Sequence, residues 1–392
     1  MTMKIGVITW FHYENYGTIL QAAALQEYLE SIDTEPALIE IPFYQIDSRQ
    51  IRTSFSERVK SCISNKIVEK SFGKYFAAKS KKFHDAIYSR YNVLPIKDSF
   101  SKTCNRFDLL ICGSDQIWSP YWYNDFYFAN FPDITVPKIS YAPSIGVKEI
   151  PPYLQGTYYS TLKHFNKLSV REESARKEIE RITGLSCQTV LDPVFLLDRQ
   201  HWTKVIGKGK NPQGDYILCY MLDDNMNHWK AIHEFTSKHN MKLVIIPMKS
   251  GSYLEKGEHR YDAGPYDFLN LITNAKYVLT DSFHASAFSI IQQKQFYVFE
   301  RTARTDANSQ NSRIYNLLEI SGLNDRIQKF NNKHIHEAND IDYQKVNIRM
   351  TPLIKQSKKY LNDAIKDVSV ALLNVVSDKT TISKQDITDQ FG

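Results

Sequence analysis

Short apolar runs alternate with amphipathic stretches along the first half of the chain. The apolar runs are KIGVITW (4–10), EPALIEI (35–41), FDLLICG (107–113), KISYAPS (138–144) and KLSVRE (167–172). Between the first two, apolar residues recur at spacings of three and four, which predicts a helix face: Ile19, Ala22, Leu25, Leu29 and Ile32. Further helices are predicted up to about residue 92, over 151–166 and over 172–183. The pattern therefore predicts a regular succession of strands and helices.

A second series of the same kind follows TVLDPVFLLDRQHW (189–202) and a polar loop rich in glycine and lysine at 207–215. Its predicted strands are 216–222, 242–248, 276–280 and 295–299. Its predicted helices are about 226–239, 265–274, one that begins near His284, and 312–321. Runs that are apolar on both faces are typical of parallel strands covered by helices.

Two such series predict an α/β protein with two Rossmann-like, doubly wound domains that face each other across a cleft. We expect the domains at 1–185 and 186–347. The remaining segment, 348–392, is predicted to hold a C-terminal helix that packs back, followed by a tail.

Composition excludes several other classes of protein. Hydrophobic residues make up 42% and charged residues 23%, which is a globular mixture. No run of about 18 apolar residues is present, and the N-terminus leads into a strand without a cleavage site, so neither a membrane span nor a signal peptide is expected. Five cysteines without a C-x-x-C pair indicate a reduced, cytoplasmic protein without a structural zinc site.

The net charge of +6 is concentrated in one segment. Residues 49–90 hold eleven Lys and Arg against three acids. Aromatic residues are interleaved there: Phe55, Phe72, Tyr75, Phe76, Phe83 and Tyr88. A solvated helix face fits this pattern, and so does peripheral contact with an anionic inner membrane surface or with a lipid-diphosphate acceptor. Nucleic-acid binding has no supporting motif and is not expected.

Polar residues directly after the predicted strands are candidates for ligand binding, because open α/β sheets bind ligands at the carboxyl ends of strands. Backbone amides at the helix start near Asn15 can hold an anion, although a capped turn is the alternative. The later groups could bind a hydroxyl or form packing turns. The candidates are Asn15, Gly17, Thr18, Gly113, Ser114, Asp115, Ser144 and Gly146.

Two further strand ends carry positively charged side chains. Arg171 stands where a strand ends and a helix begins, and its guanidinium can bind a carboxylate or phosphate with two parallel hydrogen bonds. A salt bridge to Glu172 or Glu173 explains it equally well. His284 follows the strand that ends in VLTDSFH and lies at a predicted helix start, where it can act as a general acid or bind an anion. A histidine buried in the core is the alternative.

Seven segments together resemble the polysaccharide pyruvyl transferase family in their order and spacing. They are NYGTILQAAALQEYL, DLLICGSDQIW, ISYAPSIG, SVREESARKEI, TVLDPVFLLDRQHW, FLNLITNAKYVLTDSFHASAFSII and NSRIYNLLEISGL. The resemblance covers about residues 4–365. It implies a fold similar to that of GT-B glycosyltransferases, with acceptor binding on the first domain and donor binding on the second. The implied reaction transfers pyruvate from phosphoenolpyruvate onto two hydroxyls of a sugar, as a cyclic ketal, on a cell-surface glycan or its lipid-linked precursor.

The resemblance also implies roles for single residues. Arg171 matches the donor-binding arginine of the family, and His284 matches its histidine. Phe283 stands where the backbone would touch the donor, and Ser282 precedes it. The family usually has glycine after the histidine, whereas this chain has Ala285, so a methyl group is expected at a position of close approach.

The implied chemistry requires an acid and a base. The enol carbon of phosphoenolpyruvate must be protonated, and His284 as an imidazolium is the expected acid, acting either there or on the leaving phosphate. Arg301 and Arg313 could balance phosphate charge or lie on the surface. Asp115 and Asp281 are the candidate bases, and Asp281 could instead orient His284. Phosphoenolpyruvate is expected as the co-substrate, no further cofactor is expected, and no cluster of metal ligands is evident.

Two other functions are compatible with the sequence. A glycosyltransferase with a nucleotide-sugar donor would need a late carboxylate to bind the ribose, and Glu300 or Glu319 could serve. A non-catalytic glycan-binding protein with the same fold has only Ala285 in its favour.

Overall fold

The computed structural model describes residues 2–12, 14–41, 55–206, 212–302 and 311–388, with side chains described outside 55–67, 69 and 375–388. Its first five strands are β1 (Lys4–Ile8), β2 (Glu35–Glu40), β3 (Val93–Pro95), β4 (Leu109–Cys112) and β5 (Lys138–Ser140). They form one sheet in the order β3-β2-β1-β4-β5, and every pairing is parallel. All residues of β4 are buried, as expected for a strand covered on both faces.

A parallel pair of strands continues this layer. The pair consists of β6 (Leu168–Val170) and β7 (Cys187–Thr189). A bridge between Ile139 and Lys167 joins it to β5. β7 was not predicted. Its residues follow the predicted domain limit at 185, yet they extend the first sheet. The domain limits themselves stay a prediction. β5 is shorter than the predicted run 138–144 because Ala142, at φ 53°, turns the chain out of the extended conformation.

The second sheet is also parallel throughout. Its strands are β8 (Tyr216–Tyr220), β9 (Lys242–Ile245), β10 (Glu258–His259), β11 (Tyr277–Thr280), β12 (Gln295–Phe299) and β13 (Ile327–Gln328). Their order is β10-β9-β8-β11-β12-β13. From β8 the chain adds strands first on one side of the sheet and then, starting with β11, on the other. The residues that follow the neighbouring strands β8 and β11 therefore lie together at one edge of the sheet.

Helices connect the strands and cover the sheets, which confirms the predicted α/β class with two Rossmann-like sheets. In the first half they are α1 (Tyr16–Glu30), α2 (Phe55–Tyr88), α3 (Phe100–Cys104), α4 (Pro152–Leu162) and α5 (Glu173–Thr183). In the second half they are α6 (Arg199–Ile206), α7 (Met226–Lys238), α8 (Pro265–Asn274), α9 (Phe283–Ile291), α10 (Ser312–Ser321) and α11 (Tyr343–Thr388).

An apolar interface joins the two halves. Tyr16 of α1 stacks on Phe268 of α8 with ring centroids 4.6 Å apart, and its hydroxyl donates to Ala263 O. The C-terminal helix α11 returns to the first sheet, where the Tyr360 hydroxyl donates to Ser140 O at 3.0 Å. The prediction that this helix packs back is therefore confirmed, although it begins at Tyr343 rather than near 348.

The basic helix α2 uses its aromatic side chains inside the molecule. Phe72 stacks on Tyr261, and Phe83 packs against Tyr16. Three lysines of the same helix are exposed: Lys70, Lys74 and Lys81. The interleaved aromatics are thus explained by packing, and the exposed lysines form the solvated face. The side chain of Phe55 lies outside the described residues, and so does the whole segment 49–54. Of the helices described, none has the length and apolar character that crossing a bilayer requires.

Candidate active site

Arg171 lies between the two halves and is almost completely buried, at 4% exposure. It directly follows β6, and its Nη2 donates to Ser114 Oγ at 3.0 Å and lies 3.3 Å from Asp192 Oδ2. Its guanidinium carbon lies 5.1 Å from the centroid of the Phe283 ring. Its Nε and Nη1 have no hydrogen-bond partner among the described residues. Buried donors are almost always satisfied, so two neighbouring donors of one guanidinium indicate a place for an anionic ligand.

His284 lies in the first turn of α9, and its ring packs directly on Gly17. A Cβ atom at Gly17 would lie 2.0 Å from Nδ1 of the histidine. Nε2 lies 3.4 Å from Asp192 Oδ2, the same oxygen that Arg171 approaches. The strand-end arginine and the strand-end histidine, one from each half, therefore meet at a single carboxylate.

Asp192 is the residue that sequence reasoning missed. It is 1% exposed and caps the 3-10 turn Pro193–Leu196, with Oδ1 accepting from Val194 N at 3.1 Å. Burial opposes its ionisation, but the charges of Arg171 and His284 outweigh burial and lower the pKa of Asp192 to about 2. A fixed negative charge therefore lies beside the His284 ring. The Asp-Pro pair in LDPVF indicates only a helix cap, so no local pattern predicts this contact.

Asp281, predicted as a base or as the partner of His284, has a different role. Its Oδ1 accepts from Leu222 N at 2.7 Å, and its Oδ2 lies 3.7 Å from Arg301 Nε. Burial raises the pKa of Asp281 to about 6. The prediction that it orients His284 is wrong in this structure, because Asp192 is the carboxylate beside that ring. Arg301 also donates from Nη2 to Asp281 O at 3.1 Å, so it holds the strand end together.

The start of α9 offers further groups to a ligand. Ser282 is the N-cap, and its Oγ accepts from Ala285 N at 3.4 Å. Among the hydrogen bonds of the described chain, none involves the amide of Phe283 or of His284. Ala285 is completely buried within the main core cluster, so its methyl group packs with core side chains. These two amides lie at the positive end of the helix, where an anion is favoured.

Arg313 and Glu172 add charge to the same region. Burial and the neighbouring Arg171 lower the pKa of Arg313 to about 10. Glu172 is buried, and burial raises its pKa although Arg171 and Arg313 oppose the shift. Arg171, Arg313 and Glu172 thus influence one another electrostatically.

The polar residues of the first half mostly support one another. Asn15 Oδ1 accepts from the amides of Gly17 and Thr18, so a ligand would compete with this cap for both donors. Thr18 Oγ1 donates to Asp115 Oδ2 at 2.7 Å, and Asp115 Oδ1 accepts from Gln116 N at 2.8 Å. Both oxygens of Asp115, a predicted base, are therefore already engaged.

The remaining candidates shape the loops around the site. Gly113 has φ 137°, and a Cβ atom there would lie 2.1 Å from Tyr141 O, so packing requires glycine. Ser114 donates to Ala142 O at 3.0 Å while it accepts from Arg171, and thereby positions the guanidinium. Ser144 Oγ accepts from Gly146 N at 3.1 Å within a turn. Direct ligand binding by these residues stays a prediction.

Replacing Gly17 by alanine should displace His284, since the new methyl group would overlap the imidazole ring. A misplacement of about 1 Å in an active site can lower turnover about 100-fold, and we expect a loss of that order. Gly156→Ala in α4 is the control, because a Cβ atom there has no heavy atom within 4 Å. Turnover assays of both purified variants check the prediction, and normal turnover of Gly17→Ala would contradict it.

Asp192→Asn should leave two cationic side chains facing each other without a counter-charge. Breaking one side of a buried ion pair typically costs about 3–5 kcal/mol, so the melting temperature should fall. A bound anion would replace the lost charge, so phosphoenolpyruvate should raise the melting temperature of the variant more than that of the native protein. Asp198→Asn is the control, because Asp198 is exposed directly before α6 and asparagine can still cap that helix. An equal ligand-induced shift in Asp192→Asn and the native protein would refute this account.

The family model for polysaccharide pyruvyl transferases matches residues 15–302. The match includes Arg171, Asp192 and His284, and it covers well over half of the chain. The chain belongs to the polysaccharide pyruvyl transferase family. No relative among curated proteins matches it.

Solved structures whose backbone resembles that of this chain have low sequence identity to it. The UDP-GlcNAc 2-epimerase of Methanocaldococcus jannaschii is 12% identical, with 91% of this chain and 100% of that chain covered at a TM-score of 0.45. The Neisseria meningitidis UDP-GlcNAc 2-epimerase is 11% identical, with 96% and 100% covered at 0.44. The glycosyltransferase SnogD of Streptomyces nogalater is 11% identical, with 95% and 100% covered at 0.44. Similarity at this level says nothing about the ligand of this chain.

Proposed function

We propose that the protein transfers pyruvate from phosphoenolpyruvate onto two hydroxyls of a glycan, or of its lipid-linked precursor, and forms a cyclic ketal. The observation that carries the proposal is the meeting of Arg171 and His284 at Asp192. Two donors of the arginine remain without a partner in the described structure. Membership of the family supports modification of a polysaccharide.

The charge of the site suits a small, multiply charged anion. Phosphoenolpyruvate carries a carboxylate and a phosphate, and the unpartnered Nε and Nη1 of Arg171, which lie on different edges of the guanidinium, can each donate to one of its oxygens. Arg313 supplies a second guanidinium, and the amides of Phe283 and His284 supply the positive end of α9. A donor bound there would lie beside the His284 ring.

The reaction then needs few protein groups. His284 as an imidazolium gives a proton to the methylene carbon of the donor, while the first sugar hydroxyl bonds to the central carbon. The second hydroxyl then displaces phosphate from that carbon and closes the ketal ring. The ionised carboxylate of Asp192 lies beside the His284 ring and provides the counter-charge for the imidazolium.

The acceptor would enter from the side of the first sheet, near Thr18, Ser114 and Ser144. The exposed lysines of α2 offer positive charge to the diphosphate of a lipid-linked acceptor or to an anionic membrane surface. On this proposal the lysines matter more for lipid-linked acceptors than for short soluble glycans.

Glu300, the carboxylate that a nucleotide-sugar enzyme would need for ribose, already accepts from Phe330 N at 3.0 Å and Lys329 Nζ at 3.2 Å.

Incubation with phosphoenolpyruvate and the glycan precursors of the host tests the proposal. Release of inorganic phosphate together with pyruvate incorporation into the glycan, seen by mass spectrometry, is expected. Calorimetric titrations with phosphoenolpyruvate and with UDP-sugars separate the proposal from a glycosyltransferase. Binding of a UDP-sugar but not of phosphoenolpyruvate would overturn it.

A further inference from the structure

Glu172 is a buried carboxylate that the local structure does not use. It is 5% exposed, and neither of its carboxylate oxygens has a hydrogen-bond partner in the described parts of the chain. It stands at the N-cap of α5, but its side chain does not cap the helix. The Ser144 hydroxyl lies near enough to favour the ionised form, yet it does not satisfy either oxygen geometrically. An unsatisfied buried carboxylate is costly, which indicates that a ligand donates to it.

The position of Glu172 is at the donor site. It directly follows Arg171 at the carboxyl end of β6, and it interacts electrostatically with Arg171, Arg313 and Asp192. The two arginines are the groups that would hold the anionic donor. A ligand that gives hydrogen bonds to Glu172 therefore lies next to that donor, and a sugar with its hydroxyl groups is such a ligand.

The other carboxylates near the site are less suited to accept a proton. Both oxygens of Asp115 already accept hydrogen bonds. Asp192 lies between two cations, which keep its pKa near 2. Asp281 is bonded to Leu222 N and faces Arg301. Burial raises the pKa of both Asp281 and Glu172, but neither oxygen of Glu172 has a hydrogen-bond partner among the described residues, so Glu172 is the carboxylate that is free to bind a hydroxyl and take its proton.

We infer that Glu172 is the general base of the reaction, which binds the acceptor hydroxyl and removes its proton. This inference rests on the proposed function. In the first step the hydroxyl oxygen bonds to the central carbon of the donor and its proton passes to Glu172, while His284 protonates the methylene carbon. In the second step the carbon–oxygen bond to phosphate breaks, and phosphate leaves with the proton from Glu172. The second hydroxyl then bonds to the same carbon and returns a proton to His284, so both residues regain their starting states.

Glu172→Gln tests the inference because it keeps the shape of the side chain and removes the base. We expect turnover to fall by about 10²–10⁴-fold, the range typical of a lost general base. Binding of phosphoenolpyruvate, measured by calorimetry, should be unchanged or tighter, because the variant removes negative charge next to Arg171 and Arg313. Glu173→Gln is the matched control. Its carboxylate is more exposed and pairs with Arg176, so turnover should stay near that of the native protein.

The pH profile separates a base from a structural role. A base works only when it is deprotonated, so kcat/KM of the native protein should rise with pH through the pKa of Glu172, above the usual glutamate range. This rising limb should disappear in Glu172→Gln and persist, at lower turnover, in Glu172→Asp. An unchanged rising limb in Glu172→Gln, or equal turnover, would overturn the inference.

The same measurements distinguish the two possible failures. If the native protein neither binds phosphoenolpyruvate nor releases phosphate from it, the proposed function is wrong. If the native protein does both and Glu172→Gln does so equally well, only the role of Glu172 is wrong. A variant that binds phosphoenolpyruvate is folded at the site, so loss of turnover in it cannot be ascribed to unfolding.

Discussion

Arg171→Ala is expected to weaken the binding of phosphoenolpyruvate by roughly 100-fold. The guanidinium offers Nε and Nη1 to the ligand, and hydrogen bonds to charged groups contribute about 1.5–3 kcal/mol each, so the loss of two corresponds to about 3 kcal/mol or more. Calorimetric titration of the variant measures the effect. Arg171→Lys keeps the charge but not the planar fork, and it should restore only part of the affinity.

Arg176→Ala is the matched control for this experiment. Arg176 lies on α5, five residues further along the chain, and its guanidinium pairs with Glu173 and Glu180. Its loss should leave the affinity for phosphoenolpyruvate unchanged. Because Arg171→Ala also leaves Asp192 without one counter-charge, thermal unfolding of the variant is measured in parallel. Native affinity in a folded Arg171→Ala protein would refute the placement of the donor.

His284→Ala is expected to lower turnover by about 10²–10⁴-fold while the affinity for phosphoenolpyruvate changes much less. The imidazolium is the proposed proton donor, and general acids contribute in this range. Arg171, Arg313 and the helix start would still hold the donor. Steady-state kinetics together with calorimetry separates the two quantities.

His228→Gln serves as the control for loss of a buried histidine. His228 is fully buried in the second sheet region, where its Nε2 lies 3.1 Å from Phe330 O. Its replacement should lower stability and leave turnover per folded molecule nearly unchanged. If His284→Ala lost affinity as strongly as Arg171→Ala and retained its turnover at saturation, His284 would be an anion ligand and not the acid.

The proposed site draws on both halves of the chain. Arg171 follows a strand of the first layer, and His284 opens a helix of the second. Asp192 follows β7, where the chain leaves the first half and enters the second, and its carboxylate lies close to both Arg171 and His284. A displacement of one half relative to the other would separate His284 from Arg171.

Much of the fold could be predicted because apolar residues follow the spacing of the element that buries them: three and four residues apart in a helix, and consecutive in a strand that is covered on both faces. The helix Ser312–Ser321 and the strand Gln295–Phe299 have the predicted limits. The short strands β3 and β7 were missed, because three residues that are not all buried carry too little periodicity. The sequence left open whether the aromatics of α2 belong to a solvated face or to a membrane contact, since it does not show that they meet Tyr253 and Tyr261.

The sequence by itself determined the class of the fold, and it singled out Arg171 and His284 as candidates for the site. Apolar runs and helical spacing indicate a parallel α/β architecture, and polar residues at strand ends indicate where ligands bind, since both follow from local patterns. Only the tertiary structure decided which carboxylate meets which cation. In the structure Asp192 lies beside His284, and Asp281 lies beside Arg301. The carboxylate of Glu172 has no hydrogen-bond partner among the described residues. The physical reason is that distances between strand ends depend on how two separately formed sheets pack, and no local period of the sequence encodes that.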